Sequence, residues 1–241
     1  VSIAALPVAN AGADITICDG DSIAIGGSPT GPGGSSFSWS PSATLNSGSN
    51  ANPEATPLIT TDYIVLVSNS GCTDQDTIRV NVSVPSVSAG TDLAVCVGDS
   101  VQIQAQGTGS VVWSPAGGLS ATNVLDPFAF PIATTDYIVT LTDSATCIAQ
   151  DTIQVLVNQL PVANAGADTS ACTNEMIVIG GAPTGPSGST YTWSPAGGLS
   201  DANSANPTAT ITGTQIYTVT VTDSSTCSST DVITINALAI P

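Results

Sequence analysis

Apolar residues in this chain alternate with polar ones at period two, in short runs that recur three times. In the clearest run Tyr63, Val65 and Val67 share one side; Tyr137, Val139, Leu141 and then Tyr217, Val219, Val221 repeat it. Such alternation is the mark of a strand with one buried face. The next run presents Ile78, Val80, Val82, then Ile153, Val155, Val157, then Ile233 and Ile235. Earlier strands are expected at Ile23 and Ile25, Val101 and Ile103, and Ile177 and Ile179, each after a short first strand near 15–17, 93–95 and 169–171. Clusters of Gly, Pro, Asn, Asp and Ser separate the runs, and no segment has helical period. Every element this pattern predicts is a strand.

A skeleton of Cys, Trp, Tyr and Cys overlies the runs. It reads Cys18, Trp39, Tyr63, Cys72; Cys96, Trp113, Tyr137, Cys147; and Cys172, Trp193, Tyr217, Cys227. Trp to Tyr spans 24 residues in each copy, while Cys to Trp spans 21, 17 and 21. A fixed core spacing beside a variable one indicates structural repeats with a loop that tolerates deletion. Pro7, Pro85 and Pro161 open the copies, 78 and 76 residues apart. Residues 7–84, 85–160 and 161–238 are therefore three small domains. Val1-Ser2-Ile3 resembles the tail of a preceding last strand, so 1–6 is assigned to a tail or linker. Ala239-Ile240-Pro241 resembles the start of a further copy, assigned to 239–241.

Six to eight short strands per copy, with closely spaced turn signals, predict an all-β protein of three tandem immunoglobulin-like sandwiches. The skeleton Trp is expected between the sheets. Short proline-bearing linkers, Val-Pro-Ser-Val and Gln-Leu-Pro-Val, favour stiff connections and an extended rod. Strands of about ten residues at ~3.3 Å each make a domain ~35–40 Å long, and three a rod on the order of 100–120 Å.

Charge then narrows the function. The chain has one basic residue, Arg79, no His and 18 acids, for a net charge of −17 spread along all three copies. Nucleic-acid and anionic-lipid binding rest on Lys and Arg meeting phosphate, so both partners are excluded. Absence of His and Lys removes the commonest general base, Schiff-base chemistry and lysine phosphate loops. A carboxylate-pair glycosidase is the remaining enzyme class. It needs two acids facing across an aromatic-lined cleft, whereas these acids recur with the repeat and only ten aromatics exist. No apolar run approaches the length that spans a membrane.

Cysteines at spacings of 54, 51 and 55 within the copies read as disulfides of an oxidising compartment, extracellular or at the cell surface. Two connectivities are open. Local pairing joins Cys18–Cys72, Cys96–Cys147 and Cys172–Cys227, and needs only that the first strand carry its Cys midway along the last. It is preferred for that economy. In the other, Cys18 sits in the turn after the first strand and approaches Cys147 of the next domain, and Cys96 approaches Cys227. Cys72 and Cys172 are then left for neighbours.

Three motifs in fixed order carry a family resemblance. They are Pro-Val-Ala-Asn-Ala-Gly-Ala-Asp at 7–14 and 161–168, Trp-Ser-Pro-Ala-Gly-Gly-Leu-Ser at 113–120 and 193–200, and Thr-Thr-Asp-Tyr-Ile-Val at 60–65 and 134–139. They resemble PKD-type, immunoglobulin-like repeats of large secreted and surface proteins of Bacteroidota, including gliding adhesins. Trp-Ser-Pro replaces the Trp-Asp-Phe-Gly-Asp-Gly of better-known PKD domains. The resemblance implies a spacer or adhesive stalk.

Two sets of candidate sites recur. Asp14, Asp92 and Asp168 stand before the first strand, and Asp76, Asp151 and Asp231 open the last. If the two strands run side by side, these carboxylates would converge near the junctions and could hold structural calcium, the one cofactor expected, which needs 6–8 oxygens. Asp-(Ser/Thr)-apolar triplets place Ser22, Thr77, Ser100, Ser144 and Thr152 in what resembles the O-glycosylation signal of secreted Bacteroidota proteins. The function expected is a non-enzymatic extracellular structural or adhesive protein, a stalk segment or filament subunit. Its partners would be neighbouring repeats, identical subunits or surface glycans. The alternative is a glycan- or protein-binding module of a secreted multidomain protein.

Overall fold

The structure, a computed structural model, describes residues 6–238. The readings of Val1-Ser2-Ile3 and of 239–241 as parts of further repeats lie outside the described residues. Every regular element within them is a strand. The first group comprises β1 (Ile15–Cys18), β2 (Ile23–Ala24), β3 (Ser36–Ser40), β4 (Glu54–Ala55), β5 (Thr61–Asn69) and β6 (Cys72–Ser83). The second comprises β7 (Val87–Ser88), β8 (Leu93–Cys96), β9 (Val101–Gln102), β10 (Gln106–Gly107), β11 (Ser110–Ser114), β12 (Phe128–Ala129), β13 (Thr135–Thr142) and β14 (Ile148–Asn158). The third comprises β15 (Thr169–Cys172), β16 (Met176–Val178), β17 (Thr190–Ser194), β18 (Thr208–Thr210), β19 (Gln215–Thr222) and β20 (Ser228–Leu238).

Each group builds one four-stranded sheet of the same order: β1-β6-β5-β3, β8-β14-β13-β11 and β15-β20-β19-β17. The first strand pairs parallel to the last, and the other pairs are antiparallel. Facing each sheet is a ragged second layer, made by the pairs β2–β4, β9–β12 and β16–β18, with β7–β10 added in the second group. The long strands β6, β14 and β20 lie inside their sheets. The sequence pattern leaves the last strands with free edges unless a neighbour covers them. The edges of the larger sheets are instead the first strand and β3, β11 or β17, because the parallel first strand takes up the last strand's outer ladder.

Period-two alternation becomes burial directly. Tyr63, Val65, Val67, Tyr137, Val139, Leu141, Val219 and Val221 are wholly buried, while their outward neighbours Ile64 and Ile138 are partly exposed. Three separate cores form, one per group, each around its Trp. Trp39, Trp113 and Trp193 are no more than 3% exposed, and each indole N–H donates to a carbonyl eleven residues on: Asn50, Val124 and Ser204. A buried indole needs such an acceptor, so the loop after the Trp is fixed by the side chain it covers.

Glycine is required at Gly26 and Gly180. Their φ angles are 106° and 102°, and a Cβ at either would lie 2.6 Å from a backbone carbonyl oxygen. These turns let the chain hydrogen-bond backwards, Gly26 N–H to Ala11 and Gly180 N–H to Ala165.

Candidate functional site at the domain junctions

What recurs with potential function lies where one sandwich meets the next. Cys18 stands opposite Ser83, the last residue of β6, and Cys96 opposite Asn158, the last of β14. Each is therefore at the end from which the chain leaves its domain. Cys147 and Cys227 occupy the hairpins before β14 and β20. The chain enters its domain at this hairpin end: the Ser229 hydroxyl, beside the third hairpin, donates to the carbonyl of Pro161. Exit end meets hairpin end, and the cysteines bond across the boundary. Cys18 is joined to Cys147 with Cα atoms 5.4 Å apart, and Cys96 to Cys227 at 5.6 Å.

This overturns local pairing. Cys72 begins the twelve-residue β6 and Cys18 lies beside its end, so the strand's rise of ~3.3 Å per residue step separates the two by ~36 Å. A disulfide needs Cα atoms within ~7 Å. The same argument separates Cys96 from Cys147 and Cys172 from Cys227. Cys72 and Cys172, expected among the bridged cysteines, are unpaired in this chain.

The first junction has a polar brace beside its disulfide. Asp143 accepts the N–H groups of Ala145 and Cys147, each at 2.8 Å, and the hydroxyl of Ser83 from the preceding domain. Donation from Ser83 foremost, and from the Cys147 and Ala145 backbones, holds its carboxyl below the usual carboxylate value against the opposing effect of burial. In the second junction Asp223 accepts from Ser225 and Cys227 in the same way. A cleft of about 450 Å³ lies beside this bond, lined by Cys96, Asp99, Ser100 and Asn158 of one domain and by Ser225 and Thr226 of the next. Sequence reasoning met Asp143 only as the head of a glycosylation-like triplet. The signal that separates it is its position four residues before Cys147, shared by Asp223 and Cys227.

The six repeated aspartates lie inside the domains, away from the junctions. Asp14, Asp92 and Asp168 accept the N–H groups of Arg79, Gln154 and Thr234 on the last strand, at 2.8–2.9 Å. In return Asp76, Asp151 and Asp231 accept from Ala11, Ala89 and Ala165 on the segment before the first strand, each at 2.8 Å. Between each pair of contacts the chain turns at Gly12, Gly90 or Gly166, with φ of 95°, 88° and 92°, and crosses from one sheet to the other. Backbone pairing cannot continue through that crossing, so carboxylates take its N–H groups. Donation from Ala89 foremost holds the Asp151 carboxyl low. No three metal-ligating side chains come together among the described residues.

Ser22, Thr77, Ser100, Ser144 and Thr152 are all exposed, and the Ser22 hydroxyl donates to Glu54. Arg79 forms a two-pronged ion pair with Asp62, at 2.7 and 2.9 Å, so the single cation is neutralised within its own sheet. Depressions of about 410 and 400 Å³ occur at equivalent places in the second and third domains. Their linings differ: Phe130 and Ile132 in one become Thr210 and Thr212 in the other. The feature recurs without a recurring chemistry.

No protein-family model matches this sequence, and no curated protein matches it significantly. Among solved structures, a three-domain fragment of titin, domains I67–I69 in a Glu-to-Ala variant, is 12% identical. It covers 98% of this chain and 100% of its own at a TM-score of 0.52. The I-band fragment I67–I69 of titin gives 12% identity, the same coverage and a TM-score of 0.51. At such identity the likeness concerns fold alone. The chain is all-β, with three tandem immunoglobulin-like domains.

Proposed function

We propose that this chain is a non-enzymatic structural segment of an extracellular stalk or filament, in which sandwiches are locked end to end by disulfides. One observation carries the reading: both disulfides cross a domain boundary, and neither lies within a domain. A bond inside a sandwich stabilises that sandwich, whereas a bond across a junction limits how neighbours swing and transmits tension along the chain. Disulfides persist in oxidising compartments, which supports a secreted or cell-surface location. The PKD-like motifs and their resemblance to surface repeats of Bacteroidota agree with this role, and exposed Asp-(Ser/Thr) triplets suit a sugar-bearing rod. Neighbouring repeats or identical subunits are the partners it requires. Negative-stain imaging tests the proposal. Thin rods or fibres are expected; compact particles with saturable sugar binding would instead establish a glycan-binding module.

A further inference from the structure

We infer that Cys172 of one chain forms a disulfide with Cys72 of a second copy, joining copies head to tail through a third junction of the kind present twice already. The inference rests on the proposed structural role and names a partner for it. Cys172 stands opposite Leu238 at the end of β20, as Cys18 stands opposite Ser83 and Cys96 opposite Asn158. Cys72 directly precedes the Thr73–Ser68 pair of its hairpin. Cys147 and Cys227 directly precede the Ile148–Thr142 and Ser228–Thr222 pairs. Within the chain, each exit-end cysteine bonds the hairpin cysteine of the following domain. What remains among these three domains is one exit-end thiol, Cys172, and one hairpin thiol, Cys72, and the two are complementary.

Exposure at the two unpaired positions fits a missing neighbour. Cys147 and Cys227 are 1% and 0% exposed beneath their partners, whereas Cys72 is only half-buried. Cys172 is exposed, while its counterparts Cys18 and Cys96 are half-buried. The flanking residues change together as well. The first junction sets the Ser83 hydroxyl against the Asp143 carboxylate. Beside Cys172 and Cys72 their places are taken by Leu238, 51% exposed, and by Asn69. The Asn69 amide is turned inward to Gly33 and Ser35, and the turn is shortened to Ser70-Gly71. Hydroxyl and carboxylate are thus lost as a pair, leaving an apolar exit end to meet a neutral hairpin. A heterologous, head-to-tail contact of this sort yields an open filament wherever its rotation does not close a ring.

Bond formation needs an oxidant, and a disulfide donor such as oxidised glutathione supplies it. As the Cys72–Cys172 Sγ–Sγ bond forms, the donor's S–S bond breaks, and the two protons and two electrons leave with its two thiols. The test is non-reducing denaturing electrophoresis of the full chain after incubation with oxidised glutathione. A ladder that collapses to the monomer on reduction is expected, with a Cys72–Cys172 cross-linked peptide in its mass spectrum. C72S and C172S should each remain monomeric, and their mixture should give heterodimers and nothing longer. Homodimers of either variant, or monomers that retain two free thiols, would overturn the inference. So would protein from its natural source in which Cys172 is bonded within the same polypeptide. Rods by negative stain with both thiols free would remove the cross-link and leave the stalk reading intact. Compact glycan-binding particles would remove the reading itself.

Discussion

Single residues do two jobs here, filling cores and setting junctions, and the two respond differently to substitution. Trp113 is buried and its indole is bonded. Trp113→Ala should cost about 3–5 kcal/mol, enough to unfold a small sandwich of marginal stability. Chemical denaturation should show the second domain melting before the others. Asp143 contributes through its charge. Its folded carboxyl titrates below the ordinary aspartate value, which the unfolded chain keeps. Its contribution to stability is therefore complete above that value and is lost as pH falls through the folded one. Thermal melts in acid should show this loss in the wild type, and Asp143→Asn should flatten that part of the profile. An unchanged profile would remove Asp143 from the junction's electrostatics.

At the scale of elements, strands and cores were legible in the sequence because period-two alternation maps straight onto a half-buried ladder. Tyr63, Val65 and Val67 needed no tertiary information. Disulfide connectivity was legible only as two alternatives, and the local one, preferred for economy, is the one the structure overturns. The choice depends on which end of the last strand faces Cys18, and a parallel register leaves no trace in composition or spacing. The repeated aspartates were legible as a pattern but not as a role. They resemble cation ligands, yet they serve backbone N–H groups where the chain changes sheets. Asp151→Ala should therefore cost about 1 kcal/mol or more by leaving the Ala89 N–H without an acceptor. A chelator should leave the melting temperature of the wild type unchanged. A chelator-induced drop in Tm would assign calcium to these sites.

Over the whole molecule, stability within domains and geometry between them are held by different bonds. Cores of Trp, Tyr and branched aliphatic residues stabilise each sandwich, and disulfides fix each junction. Reduction should therefore leave tryptophan burial and β-sheet circular dichroism in place while the domains gain freedom to bend. Small-angle scattering of C18S should show a broader distribution of sizes with unchanged sheet content. Loss of sheet signal on reduction would mean that the bonds support the cores after all.

The central claim is that the disulfides cross domain boundaries, and the single Arg79 offers the most direct test. Trypsin applied to the denatured, thiol-blocked monomer cuts once, separating Cys18 and Cys72 from the other four cysteines. With Cys18 bonded to Cys147, the two fragments should stay together on a non-reducing gel and part only on reduction. Fragments that separate without reductant would contradict the account, because only pairing within the first domain, or no bond at Cys18, would allow it.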